Sequence, residues 1–188
     1  MRIISGSYKG KKILEPKDIK TRPLKDLTKE SIFNIIIHSK KFKINLENSV
    51  ILDLFSGVGS FGIECLSRNV KKVIFVENYN GVLPILKKNL ENLNLNEKFS
   101  ILEYDIYQDH VFSKLESKFD IIFLDPPYKV KNLDKLLIEI NNQKILDENG
   151  IVIIHRHKNE QEIIPKVFQI AEQKKYGISK ITFLTKLN

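Results

Sequence analysis

From Val50 onward the apolar residues fall into short continuous runs, each closed by acidic residues, Asn or Gly and followed by a segment of helical period. Runs of about four to eight apolar and β-branched residues mark strands buried on both faces, whereas recurrence at i, i+3 and i+4 marks an amphipathic helix. The pattern predicts strands over 50–54, 72–77, 99–104, 119–124 and 150–155. Between them it predicts helices over 60–68, 80–95 and 132–142 and a short helical segment over 107–115, with Pro84 tolerated near the first turn of its helix. Strand and helix in alternation predict a parallel sheet with helices on both faces. The C-terminal end departs from this scheme: 167–174 and 178–186 read as strands joined through Tyr176 and Gly177, a connection short enough for an antiparallel pair.

The chain before Val50 has a different texture. Residues 2–14 alternate and turn over 6–10, which predicts a short hairpin with Lys9, Lys11 and Lys12 near its tip. Residues 24–39 read as a helix entered after Arg22 and Pro23, with Leu27, Ile32, Phe33, Ile35 and Ile36 facing inward.

Charge follows the same division. Residues 1–43 hold 12 basic and 4 acidic side chains, while the rest of the chain holds 19 of each, so the whole net charge of +8 resides in the first quarter. A general excess of Lys, with only four Arg among 31 basic residues, would not concentrate charge in this way. A neutral body with a basic extension suits a phosphate-backbone partner; a solvated basic face is the plain alternative. The expected division is therefore 1–43, a basic RNA-contacting hairpin and helix, and 44–188, a catalytic domain.

A length of 188 residues suits one sizeable core with a small appendage. No apolar stretch approaches the ~20 residues of a membrane span and the first six residues do not read as a signal peptide, so a cytoplasmic protein is expected. Cys65 is the only cysteine, which excludes an internal disulfide and reads as buried filler. His155 and His157, flanking Arg156 after the strand at 150, are expected to face solvent, and with His38 and His110 they form no metal-ligand cluster.

Candidate chemistry sits at the strand ends. Asp53 is followed by Phe55, Gly57, Gly59 and Gly62, a Gly-x-Gly-x-x-Gly turn that opens a helix, and Glu77 lies 20 residues beyond Gly57 at the end of the next strand. This is also a dinucleotide fingerprint, so a nicotinamide-dependent oxidoreductase is one reading. Against it, the carboxylate of Asp53 would repel a pyrophosphate at the glycine turn but suits an ammonium group. Asp105, after the third strand, is placed to accept from an adenine amino group, although alone it is equally an ordinary loop acid. These acids describe S-adenosyl-L-methionine better than a dinucleotide. Asp53 would lie near its methionine moiety, Gly57 and Gly59 would admit the backbone, and Glu77 would hold the ribose hydroxyls.

Asp125, Pro126, Pro127 and Tyr128 follow the apolar strand 119–124. The sequence Asp-Pro-Pro is a common turn signal. It also suits methylation of a planar amine: Asp125 can accept from the NH2 and stabilise its developing positive charge, and Tyr128 can stack on the base. The prolines stiffen the turn and leave its carbonyls as further acceptors, that of Pro126 among them. Direct transfer of this kind needs alignment and electrostatics, and neither a metal nor a covalent intermediate.

Taken together, Asp53 to Gly62, Glu77, Asp105 and the Asp125-Pro126-Pro127-Tyr128 turn resemble class I S-adenosylmethionine-dependent methyltransferases acting on exocyclic amines. More narrowly, Arg2 to Gly6, Lys9 to Lys11, Thr21 to Pro23 and Lys29 to Asn34 resemble the bacterial RsmD family, 16S rRNA guanine-N2 methyltransferases. The resemblance runs over nearly the whole chain. It implies a Rossmann-like α/β fold with a seven-stranded, mostly parallel sheet whose last two strands form the antiparallel pair. It further implies catalysis by the 125–128 turn, and a cofactor site of Asp53, Phe55, Gly57, Gly59, Glu77, Asn78, Asp105 and Ile106. The substrate would be a guanine of 16S rRNA in the small ribosomal subunit or its assembly intermediate, and the protein a monomer. RNA contacts would come from Lys9, Lys11, Lys12, Arg22 and Lys29. Leu27 and Lys29 stand where the family usually carries arginines, and Lys offers a point charge in place of a bidentate fork. Three other readings share the pattern in part: adenine N6 or a protein glutamine amide as acceptor, the oxidoreductase, and an RNA-binding assembly factor without catalysis.

Overall fold

The apolar runs pair into one seven-stranded sheet in the computed structural model, which describes residues 1–16, 24–108, 111–115, 117–127 and 129–187. The elements in chain order are α1 (Asp26–His38), β1 (Val50–Leu54), α2 (Ser60–Ser67), β2 (Lys72–Val76), α3 (Leu83–Glu91) and β3 (Phe99–Leu102). They continue as β4 (Phe119–Leu124), α4 (Leu133–Asn142), β5 (Leu146–His157), β6 (Phe168–Tyr176) and β7 (Ser179–Lys186). The strand order is β3-β2-β1-β4-β5-β7-β6, with β1 to β5 parallel and β7 antiparallel to both its neighbours. Among the described residues of 107–115, helix is confined to a short 3-10 turn, Val111–Lys114.

Alternation along the strands divides the core in two. Ile51, Phe123 and Ile153 face a layer containing α1, α2 and α3, while Leu52, Ile122 and Val152 face α4 and the Val111–Lys114 turn. On the first face the ring of Phe61 stacks on Phe33 from α1 and Phe123 from β4, with centroids 5.5 and 4.0 Å apart. Burial of such rings is a large part of what fastens α1 to the sheet.

One expectation for α1 is corrected. Its buried stripe is Thr28, Lys29, Ile32, Phe33 and Ile36, and Leu27, expected to face inward, is 65% exposed because it precedes that stripe by a turn of about 100°.

The N-terminal legs meet antiparallel at a bridge between Arg2 and Lys12, flanked by Ile3 N–H to Lys11 O and Ile13 N–H to Met1 O. This segment is bonded to the body throughout. The buried carboxylate of Glu64 accepts from the N–H groups of Ile4 and Ser5, and Ser67 O accepts from Ser7 N–H. Asn89, buried on α3, binds both the N–H and the carbonyl of Leu14 and donates to Val58 O in the glycine turn. Among the described residues no helix is long and apolar enough to cross a membrane.

Candidate functional site

The order of the strands reverses direction between β1 and β4, which are direct neighbours, and ligands of open α/β sheets bind beyond the carboxyl ends of strands at such a point. Leu54 pairs with Leu124, so the residues that follow them emerge side by side. A cleft of about 770 Å³ opens there. It brings together Asp53 on β1 with Phe55 and Gly57 after it, Glu77 and Asn78 after β2, Asp105 after β3, and Asp125, Pro126 and Pro127 after β4. Tyr128 lies outside the described residues, as does Arg22.

The turn after β1 needs unusual backbone. Phe55, Gly57 and Gly59 all have positive φ, at 59°, 55° and 85°, and a non-glycine residue in this region carries local strain. Two carboxylates hold the turn. Glu77 accepts from Gly57 N–H at 2.8 Å through one oxygen and from Asn78 and Tyr79 N–H at 2.9 and 2.8 Å through the other. Asp53, 1% exposed, accepts from Gly62 N–H in the first turn of α2 at 2.9 Å. Burial pushes the Asp53 carboxyl well above its ordinary value, against the opposing pull of the Gly62 bond, and the charges of Asp125 and Glu77 add to the rise.

Asp105 accepts from Tyr107 N–H at 2.9 Å and lines the cleft, whereas the side chain of Ile106 is buried in the core beneath it and does not. Gly59 shapes the turn without lining the cleft.

At the acceptor side the structure adds two residues that sequence reasoning misplaced or passed over. His155, expected to face solvent, has a side chain only 13% exposed and lies against Asp125, with Nδ1 2.9 Å from Oδ1; its Nε2 is 2.9 Å from Ser179 Oγ. Burial works to lower its pKa, but the charge and hydrogen bond of Asp125 prevail and raise it above the ordinary value, Arg156 opposing them. The signal was present in the register: Leu124 pairs with Ile154, which sets Asp125 beside His155.

Arg156, pointing to the other face, donates to Pro126 O at 3.3 Å, Pro127 O at 3.1 Å and Val130 O at 3.2 Å. The carbonyls expected to stay free are thus already engaged, and the turn is held by a planar cation as well as by its prolines. Lys180 and Glu162 form a buried pair 2.7 Å apart beside it.

Of the cations expected to meet RNA, Lys9, Lys11 and Lys12 are exposed on the N-terminal legs. Lys29 is corrected: it is fully buried, its Nζ donates to Arg2 O at 2.6 Å and lies 3.5 Å from Asp26, and burial lowers its pKa against the opposing charges of Glu64 and Asp26. Its ammonium fastens the first residues of the chain to α1 and is closed to a phosphate. Among the described residues there is no group of three or more His, Cys, Asp or Glu able to hold a metal ion.

Known proteins share this architecture. The Escherichia coli protein yhhF superimposes with a TM-score of 0.80 over 99% of this chain and 97% of its own, at 22% identity, which establishes the fold. In sequence, the Bacillus subtilis protein YlbH is 35% identical over 189 residues, 99% of each chain. Ribosomal RNA small subunit methyltransferase D of Haemophilus influenzae is 30% identical over 179 residues, 95% of this chain and 90% of its own length. The sequence model of the family described as conserved hypothetical protein 95 matches residues 1–185, and with these relatives it shows that the chain belongs to that family, the RsmD methyltransferases.

Proposed function

We propose that this protein transfers a methyl group from S-adenosyl-L-methionine to the exocyclic N2 of a guanine in the 16S rRNA of the small ribosomal subunit. The observation that carries this reading is the convergence in one cleft of the glycine turn with its acids and of Asp125 from the neighbouring strand. The name of the Haemophilus relative, a small-subunit rRNA methyltransferase, supports the substrate class.

The donor set fits the cofactor. Of the four carboxylates that line the cleft, Asp53, Glu77 and Asp105 match an ammonium, ribose hydroxyls and an adenine amino group better than they match phosphates. The donors that a pyrophosphate would seek are already taken, Gly57 N–H by Glu77 and Gly62 N–H by Asp53, which counts against a dinucleotide.

When bound, S-adenosyl-L-methionine would supply an electrophilic methyl on a sulfonium, with neutral sulfur as the leaving group. The protein's part is alignment and charge. Asp125 accepts from the NH2, points its lone pair at the methyl, and takes the proton that the positively charged nitrogen sheds. Arg156 and the two prolines hold the acceptor turn in place for this.

The test is to incubate the protein and labelled cofactor with small subunits from a strain lacking the enzyme and to map the product by mass spectrometry. N2-methylguanine in 16S rRNA is the expected product; label on adenine or on protein overturns the acceptor assignment. Asp125→Ala is expected to abolish transfer while cofactor affinity, read by calorimetry, stays near that of the wild type. Tight NAD binding without S-adenosyl-L-methionine binding overturns the cofactor.

A further inference from the structure

We propose that His155 is a positioning residue for the acceptor carboxylate: its Nδ1–H holds Asp125 Oδ1, Ser179 fixes the tautomer that permits this, and Asp125 Oδ2 is left to receive the substrate amine. The inference rests on the reading of Asp125 as the amine acceptor.

The geometry determines the proton. Both contacts of the ring are 2.9 Å long, and an ionised carboxylate only accepts, so Nδ1 carries the hydrogen. In the neutral ring Nε2 is then an acceptor, and the hydroxyl of Ser179, 8% exposed at the start of β7, donates to it. A side chain clamped at both nitrogens has little rotational freedom. Asp125, following the last residue of β4, thereby acquires a fixed orientation that its own backbone does not impose.

Protonation changes the arrangement. The charges that act on the ring are Asp125 beyond β4, which holds it, and Arg156 on β5, which opposes its protonation while bonding to the 126–130 turn and Glu160; Lys180 on β7 pairs with Glu162. An imidazolium at 155 competes with the amine for the charge of Asp125 and forces Ser179 to accept in place of donating. Because the Asp125 contact raises the ring's pKa, transfer is expected to rise with pH through a midpoint above the ordinary value of 6.5.

Imidazole 15N NMR on the full chain reads the tautomer and titration without any turnover. The Nδ1–H form is expected at pH values above the ring's midpoint, and that midpoint is expected to fall in Asp125→Asn. In single-turnover assays with saturating cofactor, His155→Ala should lose about 10- to 100-fold in rate, the scale of a displaced catalytic group, with cofactor affinity within about twofold of wild type. His155→Asn places an amide N–H near the position of Nδ1, and should recover most of that loss while showing no low-pH limb. The Nε2–H tautomer above the ring's midpoint, or a wild-type rate and pH profile in His155→Ala, overturns the inference while methyl transfer stands. If His155→Ala does not fold, the pH profile of His155→Asn decides: an unchanged limb overturns it. A wild-type chain that transfers no methyl, with the ring still Nδ1–H, overturns the methyl-transfer reading and this role with it.

Discussion

Asp53 is held under two opposing demands. Its carboxyl is buried and accepts one backbone N–H, and desolvation raises its pKa well above 3.8 in the folded protein. A carboxyl so raised contributes stability that is present at low pH and lost as pH climbs through the raised value, so the ionised form weakens the empty fold at neutral pH. Asp53→Asn keeps an oxygen for Gly62 N–H and removes the charge. It is expected to raise stability at pH 7.5 by on the order of 1 kcal/mol, with the gain shrinking toward pH 5, as read by urea denaturation at both values. On the proposed cofactor reading it should also weaken S-adenosyl-L-methionine binding by about tenfold, the worth of one charge-assisted bond. An Asn variant that is less stable than the wild type at pH 7.5 contradicts this account. Asp53, Glu77, Asp105 and Asp125 were legible in the sequence because each is an acid at the end of an apolar strand. Lys29 and His155 were not, since what buries them is distant in the chain: the carbonyl of Arg2 and the charge of Glu64 for one, Asp125 and Ser179 for the other.

At the scale of elements, α2 is the least forgiving part of the cleft. All eight of its residues are buried, and its first turn presents Gly62 to β2. A Cβ at Gly62 would lie 2.3 Å from the Phe75 ring and 2.9 Å from Asp53 Oδ2, so helix, strand and acid meet at one point that only glycine fits. Gly62→Ala is expected to cost about 1 to 3 kcal/mol, the usual range for overpacking, and to weaken cofactor binding because the same shift displaces Asp53. Denaturation and calorimetry on one preparation check both; a stable variant with intact affinity would show that the site yields more easily than its geometry implies. The sequence located β1 and β4 at their observed bounds, because the glycine turn closes one and Asp125 with its prolines closes the other. It lengthened α3, read over 80–95 and observed over Leu83–Glu91, because the Tyr79 carbonyl turns the chain before the helix and Asn94 takes positive φ after it. It shortened β5, read over 150–155 and observed over Leu146–His157: a register shift opposite β4 carries the strand through the polar residues Asp147, Glu148 and Asn149.

At the scale of the whole molecule, the basic legs over residues 1–16 have a fixed seat. Glu64, Ser67 and Asn89 bond the N-terminal legs to α2 and α3, and the same segment contributes Pro16 and Leu24 to the cleft lining. Exposed Lys9 and Lys12 therefore hold a set position relative to the acceptor turn, on a body whose remaining charges cancel. If this segment grips RNA as the family resemblance implies, its contribution is the release of counterions, which shows in the salt dependence of affinity more clearly than in affinity at one salt concentration. Each phosphate of single-stranded RNA that the protein no longer neutralises flattens the slope of log K against log salt by about 0.7. The double change Lys9→Ala and Lys12→Ala should thus reduce the slope by roughly 1.4 and weaken binding most at low salt, with cofactor affinity unchanged. Binding of a 16S rRNA fragment, measured by fluorescence anisotropy between 50 and 200 mM salt (about the range over which such slopes are resolved), is the check. A slope equal to that of the wild type would move the RNA contact elsewhere on the molecule and leave the basic legs as a solvated face.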